Sequence, residues 1–238
     1  MNLPVSPNLA RPSAFWKDAW TRRAIANYQQ PLHVVDGYGF IDAGAYRAIA
    51  QGVMAPVGLQ PGDRVLEVGC GAGAFLDAVD ASVPGLSLHG VDICEAMVAL
   101  ARARQPRIQF DVGDICCLRW LPTGSFDHVA AFAVLSYLDG IPQASRAIDE
   151  LLRVVKPGGA VVLGDISDAA HRRTSTAFLD RVWAPRAIPA YVYFPTKFFE
   201  RYARSRGLEV EIRPMTELDV PSYEPASFRY TVYLRRRR

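Results

Sequence analysis

Val65-Leu66-Glu67-Val68-Gly69-Cys70-Gly71-Ala72-Gly73 carries an apolar strand straight into a glycine-rich turn that opens a helix. A backbone that turns this sharply and comes close to a ligand needs residues without a Cβ. Amides at the start of the following helix can face a negatively charged group. Taken alone the stretch is ambiguous, because Gly69, Gly71 and Ala74 also satisfy the G-x-G-x-x-G/A pattern of dinucleotide sites. Glu67 argues otherwise. It stands two residues before the first glycine, where a dinucleotide site has a pyrophosphate to accommodate and needs no acid. An acid there suits a ligand carrying an ammonium group.

On either side the pattern alternates between strands and helices, which predicts a parallel sheet covered on both faces. Strands are expected at 64–68, 86–91, 107–111, 126–132 and 159–164. Helices are expected at about 73–80, 94–104 and 143–155, the last stopped by Lys156-Pro157-Gly158-Gly159. A further helix at about 196–206 closes at Gly207, and two final strands, 208–213 and 228–234, follow with no helix between them. Their succession predicts a terminal hairpin with an antiparallel edge. Upstream, residues 1–12 hold three prolines and read as a flexible lead-in. A helix from Ser13 to about Tyr28 sets Phe15, Trp16, Trp20 and Ile25 near one face, and a second runs from about Asp42 to Val57.

Two more acids fall at strand ends. Asp92 closes the second strand, 23 residues beyond Gly69, where a carboxylate can accept from both hydroxyls of a ribose. Asp114, in Gly113-Asp114-Ile115, follows the third strand and can accept from an exocyclic adenine amine. Three acids at three successive strand ends fit one adenosine-bearing, overall cationic ligand.

With these residues in view, the chain resembles the class I S-adenosylmethionine-dependent methyltransferases over about residues 45–165. The resemblance rests on VLEVGCGAG, VDICEAM, the GDI triplet, FDHVAAFAVLSYL and LLRVVKPGGAVVLGDI, in the family's order and spacing. It implies a Rossmann-like α/β fold with a seven-stranded, mostly parallel sheet. It places Gly69, Cys70, Gly71 and Gly73 near the methionine moiety, with Glu67 supporting its amino group. It likewise puts Asp92 on the ribose, Ile93 against adenine, Asp114 on the adenine amine, Ile115 beside it among the cofactor-binding residues, and the backbone carbonyl of Phe132 on the amino group. The expected organisation is an N-terminal helical lid at 1–57 and a methyltransferase core at 58–238, with 166–195 as an insertion on the substrate side.

Methyl transfer from a sulfonium is an in-line displacement, and alignment supplies most of the acceleration. A general base is needed only where the acceptor must lose a proton. His171, a few residues past strand five, is the preferred candidate, and His33 in the lid is the second. Ser136 and Tyr137 follow strand four, and Tyr28, Tyr38, Tyr191 and Tyr193 are aromatic candidates for the pocket wall. The expected acceptor is a small molecule, with oxygen favoured over nitrogen or carbon. An RNA methyltransferase, a non-catalytic S-adenosylmethionine-binding module and an NAD-dependent oxidoreductase are the rival readings.

Composition bears on these choices. Half of the 238 residues are hydrophobic and 21% are charged, enough for one substantial core. The net charge is +3, but four of the 27 basic residues are Arg235–Arg238, which leaves 23 against 24 acidic. A near-neutral body gives little support to nucleic-acid binding, and the arginine run reads as a solvated tail. Cys70, Cys94, Cys116 and Cys117 offer no C-x-x-C pair, and no magnesium-binding acid cluster stands out, so no metal is expected. Without a signal peptide or a membrane-length apolar run, the expectation is a cytoplasmic protein with no membrane partner. The oligomeric state is left open.

Overall fold

The computed structural model describes residues 12–183 and 191–236. Most of the lead-in at 1–12, the middle of the 166–195 insertion and the last two arginines lie outside the described residues. Seven strands form one sheet: β1 (Arg64–Val68), β2 (Ser87–Asp92), β3 (Gln109–Val112), β4 (Phe126–Phe132), β5 (Val155–Ser167), β6 (Leu208–Pro214) and β7 (Arg229–Arg236). Their order is β3-β2-β1-β4-β5-β7-β6. Strands β1 to β5 pair in parallel, and β7 is antiparallel to both of its neighbours. This is the seven-stranded, mostly parallel Rossmann-like sheet that the sequence leads one to expect. Its register lines up Glu67 with Gly90 on one side and Ala130 on the other, so the carboxyl ends of β1, β2 and β4 emerge together.

Alternation along β1 divides the core. Successive strand side chains point to opposite faces. Leu66 and Val68 join the cluster built with Ala147, Ile148 and Leu151 of α5 (Ile141–Val154) and Phe199 and Tyr202 of α7 (Thr196–Ser205). Val65 joins the other, with α2 (Ala43–Met54), α3 (Ala74–Asp80) and α4 (Glu95–Arg104). Helix α2 is thus a covering layer of the sheet: Ile49, Ala50 and Val53 are fully buried, and Tyr233 of β7 donates to the Val53 carbonyl at 2.9 Å. The segment that lies over the sheet's edge is shorter, comprising α1 (Pro12–Ala26) and a π-helical turn at Val34–Tyr38. Ala24 of α1 packs with Ala72, Cys94 and Met97, against the glycine turn and α4.

Three local expectations are corrected. Helix α5 stops at Val154, and Lys156-Pro157-Gly158-Gly159 lies within β5, whose first residue pairs with Phe126 before an irregularity restarts the register at His128–Ala160. The insertion carries an unforeseen helix, α6 (Arg172–Trp183), anchored by Phe178 and Leu179 against Phe228. The arginine run is not wholly a tail: Arg235 and Arg236 belong to β7, and their guanidinium groups donate to the carbonyls of Pro56 and Leu152. Among the described residues, no helix is long and apolar enough to cross a membrane.

Candidate functional site

At the carboxyl end of β1 the chain turns through Gly69 and Gly71 at φ 83° and 54°, backbone that residues with a Cβ rarely adopt. The turn is pinned by the Val91 carbonyl, which accepts from Gly69 N at 2.6 Å and Cys70 N at 3.1 Å. Asp92 reinforces it. One carboxylate oxygen accepts from Gly71 N at 2.9 Å and the other from Cys94 N at 2.8 Å, ahead of α4. A Cβ on Gly69 would collide with Val134, and one on Gly71 with the carboxylate of Asp36. Gly73 serves packing instead, since a Cβ there would strike Gln105 and Phe110.

Asp36 has no signature in the sequence. It sits in the π-helical turn just before Gly37, which takes a φ of 96°. Its oxygens accept from Ala72 N at 2.6 Å and Ala74 N at 3.0 Å, so the lid segment is hydrogen-bonded to the glycine turn. Burial pushes the Asp36 carboxyl up to about 7, against the lowering effect of the two amides and with repulsion from Asp92 added. Burial likewise raises Glu67, with the charges of Asp36 and Asp92 adding to it, and raises Asp92. Glu67 is 2% exposed, and its Oε2 is buried with no hydrogen-bond partner. Three carboxyl groups crowd one floor, and that floor favours a cation.

These acids line a single cavity that continues over Ile93, Asp114, Ile115 and Phe132 and under an aromatic roof. Trp16 and Trp20 of α1 meet Tyr137 edge-on at centroid distances of 4.6 and 5.8 Å, and Phe132 stacks between Phe75 and Tyr38 at 4.8 and 5.8 Å. Phe178 and Leu179 of α6 also reach the cavity.

At the far end a second polar cluster is buried. The β5–β7 register slips between Leu163 and Ile166, and Asp165, inside that slip, takes a φ of 57°. An irregularity of this kind re-aims a side chain out of the strand's alternation. The Asp165 carboxylate is inaccessible and accepts from three donors: Tyr38 Oη at 2.6 Å, Tyr223 Oη, and Nη1 of Arg229. Arg229 lines the cavity, 8% exposed, and its Nε is buried without a partner. Burial would lower the guanidinium's pKa, but Asp165 and Tyr223 more than offset this and hold it above its usual range. Burial and the neighbouring Asp165 push the Tyr38 phenol upward. Nothing in the sequence joins positions 38, 165, 223 and 229; only the fold does.

Several sequence candidates stand elsewhere. His171 is exposed on the surface, with Nδ1 3.2 Å from Asp168 Oδ2, because Asp168 caps a short turn ahead of α6. His33 is buried outside the cavity lining, its ring stacked on Tyr46 at 5.9 Å. Tyr28 is exposed and bonded to Gln29. Ser136 is buried, and its carbonyl accepts from Val192 N at 3.0 Å. Tyr191 backs Tyr137 at 5.6 Å without lining the cavity, and Tyr193 is held by Thr176 at 3.0 Å. The cavity does gather Glu67, Gly69, Cys70, Gly71, Asp92, Ile93, Asp114, Ile115, Phe132, Tyr38 and Tyr137. Among the described residues, no group of three or more His, Cys, Asp or Glu is arranged to hold a metal ion.

Residues 66–163 match a methyltransferase domain family. Over the wider chain the fold is that of magnesium protoporphyrin IX methyltransferase from Synechocystis PCC 6803, crystallised with S-adenosylhomocysteine. The TM-score is 0.65 at 16% identity, with 94% of this chain and 99% of that one covered. The residues matched to the domain family run from β1 through the glycine turn to β5. Two curated proteins are similar to this chain in sequence. A demethylmenaquinone methyltransferase of Renibacterium salmoninarum is 33% identical over 140 residues, 58% of this chain and 55% of that one. A trans-aconitate 2-methyltransferase of Variovorax paradoxus is 30% identical over 139 residues, 57% and 52%. The chain thus spans about half the length of these curated relatives. The residues present fit S-adenosylmethionine, the cofactor that the sequence resemblance implies. The unpartnered Glu67 oxygen is an acceptor suited to an ammonium, the crowded acids favour a cation, and the turn through Gly69 and Gly71 leaves the backbone bare of side chains.

Proposed function

We propose that this protein transfers a methyl group from S-adenosylmethionine to a small-molecule acceptor, with oxygen favoured as the receiving atom. The observation that carries the reading is the cavity's division into an acid-lined floor with an unpartnered Glu67 oxygen and an aromatic chamber ending at Arg229. On the floor, Glu67 would take the cofactor's amino group together with the Phe132 carbonyl, and Asp92 the ribose. Ile93, Asp114 and Ile115 would hold the adenine. Bound there, the cofactor supplies an electrophilic methyl on a sulfonium.

What the chain itself contributes is position and dryness. Trp16, Trp20 and Tyr137 close the chamber, and a lid comprising α1 and the π-helical turn would exclude water, as lids of this kind do. The chamber's own titratable groups are phenols pushed upward and an arginine, which are donors rather than bases. An acceptor that arrives already deprotonated needs no base, which favours an acidic oxygen. The relatives' names point to small molecules, a quinone precursor and an organic acid. An enclosed aromatic wall suits such a substrate better than a nucleic acid, which asks for a basic surface.

Differential scanning fluorimetry with S-adenosylhomocysteine and with NAD tests the cofactor assignment. At one hundred times its dissociation constant, a ligand of the native state adds about 2.7 kcal/mol, a shift of several degrees in Tm for a chain of this size. We expect that shift from S-adenosylhomocysteine and none from NAD. The opposite pattern would overturn the assignment.

A further inference from the structure

Arg229 and Asp165 form an ion pair at the chamber end of the cavity, with side chains 7% and 0% exposed. A buried pair is stable only where its hydrogen-bonding capacity is satisfied. Asp165 meets that condition, since three donors converge on its two oxygens. Arg229 does not. Its bonds all run through Nη1, to Asp165 and at 3.4 Å to Tyr223 Oη, while Nε is buried with no partner. A guanidinium carries five donors in a planar fork suited to a carboxylate. The part of that fork not engaged by Asp165 belongs to a residue of the cavity wall.

The surroundings restrict what can meet it. At the cofactor end stand Glu67, Asp36 and Asp92, which repel an anion. The lining's other cation, Lys17, is half-exposed and 3.7 Å from Glu95. Phe132, Tyr38, Phe40 and Phe178 also line the cavity and make an aromatic wall, which accepts a flat apolar body. We propose that Arg229 is the anchor for an acidic group on the acceptor, and that the acceptor is a small organic acid with a planar, unsaturated body. Asp165, Tyr38 and Tyr223 act through Arg229: they fix the guanidinium in place and leave its free donors for the ligand. This rests on the methyltransferase reading of the same cavity.

The test uses the full-length protein saturated with S-adenosylhomocysteine. Benzoate, cinnamate and 2-naphthoate are titrated calorimetrically, each against its own carboxamide, which keeps the shape and removes the charge. At least one acid should bind ten times or more tightly than its amide. If no acid exceeds its amide, the inference is overturned. Removing Arg229 alone would strand a buried carboxylate and endanger folding, so the second arm is the double variant Arg229→Gln, Asp165→Asn. It should bind S-adenosylhomocysteine within threefold of the parent and lose the preference for acid over amide. A preference that survives in the folded double variant also overturns the anchor. Failure of the parent to bind S-adenosylhomocysteine at all would instead sink the cofactor assignment, so the two readings fail separately.

Discussion

Asp92, the residue proposed to take the cofactor's ribose, holds the glycine turn to the start of α4, with one oxygen accepting from Gly71 N and the other from Cys94 N. Asp92→Ala should therefore weaken S-adenosylhomocysteine binding by more than about tenfold, through both the lost acceptor and the loosened turn. It should also lower stability by ~1 kcal/mol, as the loss of a side chain that accepts from two backbone amides does. Calorimetry and thermal melts read the two effects separately. Gly71→Val makes a different demand. Its side chain would drive out the Asp36 carboxylate, so the variant should keep its circular dichroism spectrum yet lose cofactor binding. A folded variant with normal affinity would show that the turn does not face the ligand. The acids at 67, 92 and 114 were legible because each lies at or beside a strand end, where position follows from the pattern. Asp36 was not, because it lies in a π-helical turn with no period to read and owes its place to amides 36 and 38 residues away.

At the level of elements, α1 and the π-helical turn differ in what they bear. Helix α1 roofs the cavity with Trp16 and Trp20, whereas the turn supplies Asp36 and Tyr38, which bond to the glycine turn and to buried Asp165. Deleting residues 1–30 should leave S-adenosylhomocysteine affinity within about tenfold, since the polar contacts expected for the cofactor come from the sheet's edge. Extending the deletion through residue 40 strips a donor from a buried carboxylate, at about 1–3 kcal/mol, and should lower Tm by several further degrees. Equal melting temperatures for the two truncations would contradict this division. Elements whose burial follows one period were readable: β1 and β4 fall at the expected 64–68 and 126–132. Lys156-Pro157-Gly158-Gly159 misled because a proline-glycine run stops helices in isolation, while here pairing with β4 carries the strand through it. Helix α6 opens with Arg172-Arg173-Thr174-Ser175-Thr176, too polar to show a face, and is held by Phe178 against Phe40 at 5.2 Å.

For the molecule as a whole, the crowded acids tie stability to pH. Asp36 keeps its proton to about pH 7 when folded, but only to about pH 4 in the unfolded chain. Between those limits the native state binds the extra proton, so stability falls as pH rises from about 4 to about 7. Glu67, raised as well, acts in the same direction. Melts from pH 5 to 8 should show the decline, and Asp36→Asn should flatten it. A ligand ammonium favours the ionised acids, so S-adenosylhomocysteine should bind more tightly at pH 8 than at pH 5; a flat affinity would mean that these groups do not meet the cofactor. The sheet's order and the acid-lined half of the cavity were largely open to reading, because both derive from short-range strand–turn–helix units. The half that ends at Arg229 was hidden, since it depends on β7 bringing Arg229 beside Asp165, 64 positions earlier. The position of β7 also constrains how the chain can assemble. Among the described strands, β6 comes earlier in the chain than β7 yet joins the sheet only through it. Until 229–236 insert, β5 keeps a bare edge and β6 has nothing to pair with. The acid-lined floor can form from nearby units, whereas the arginine end must wait for that insertion. A chain delayed at this step would present an open strand edge, the surface on which nascent proteins stick to one another.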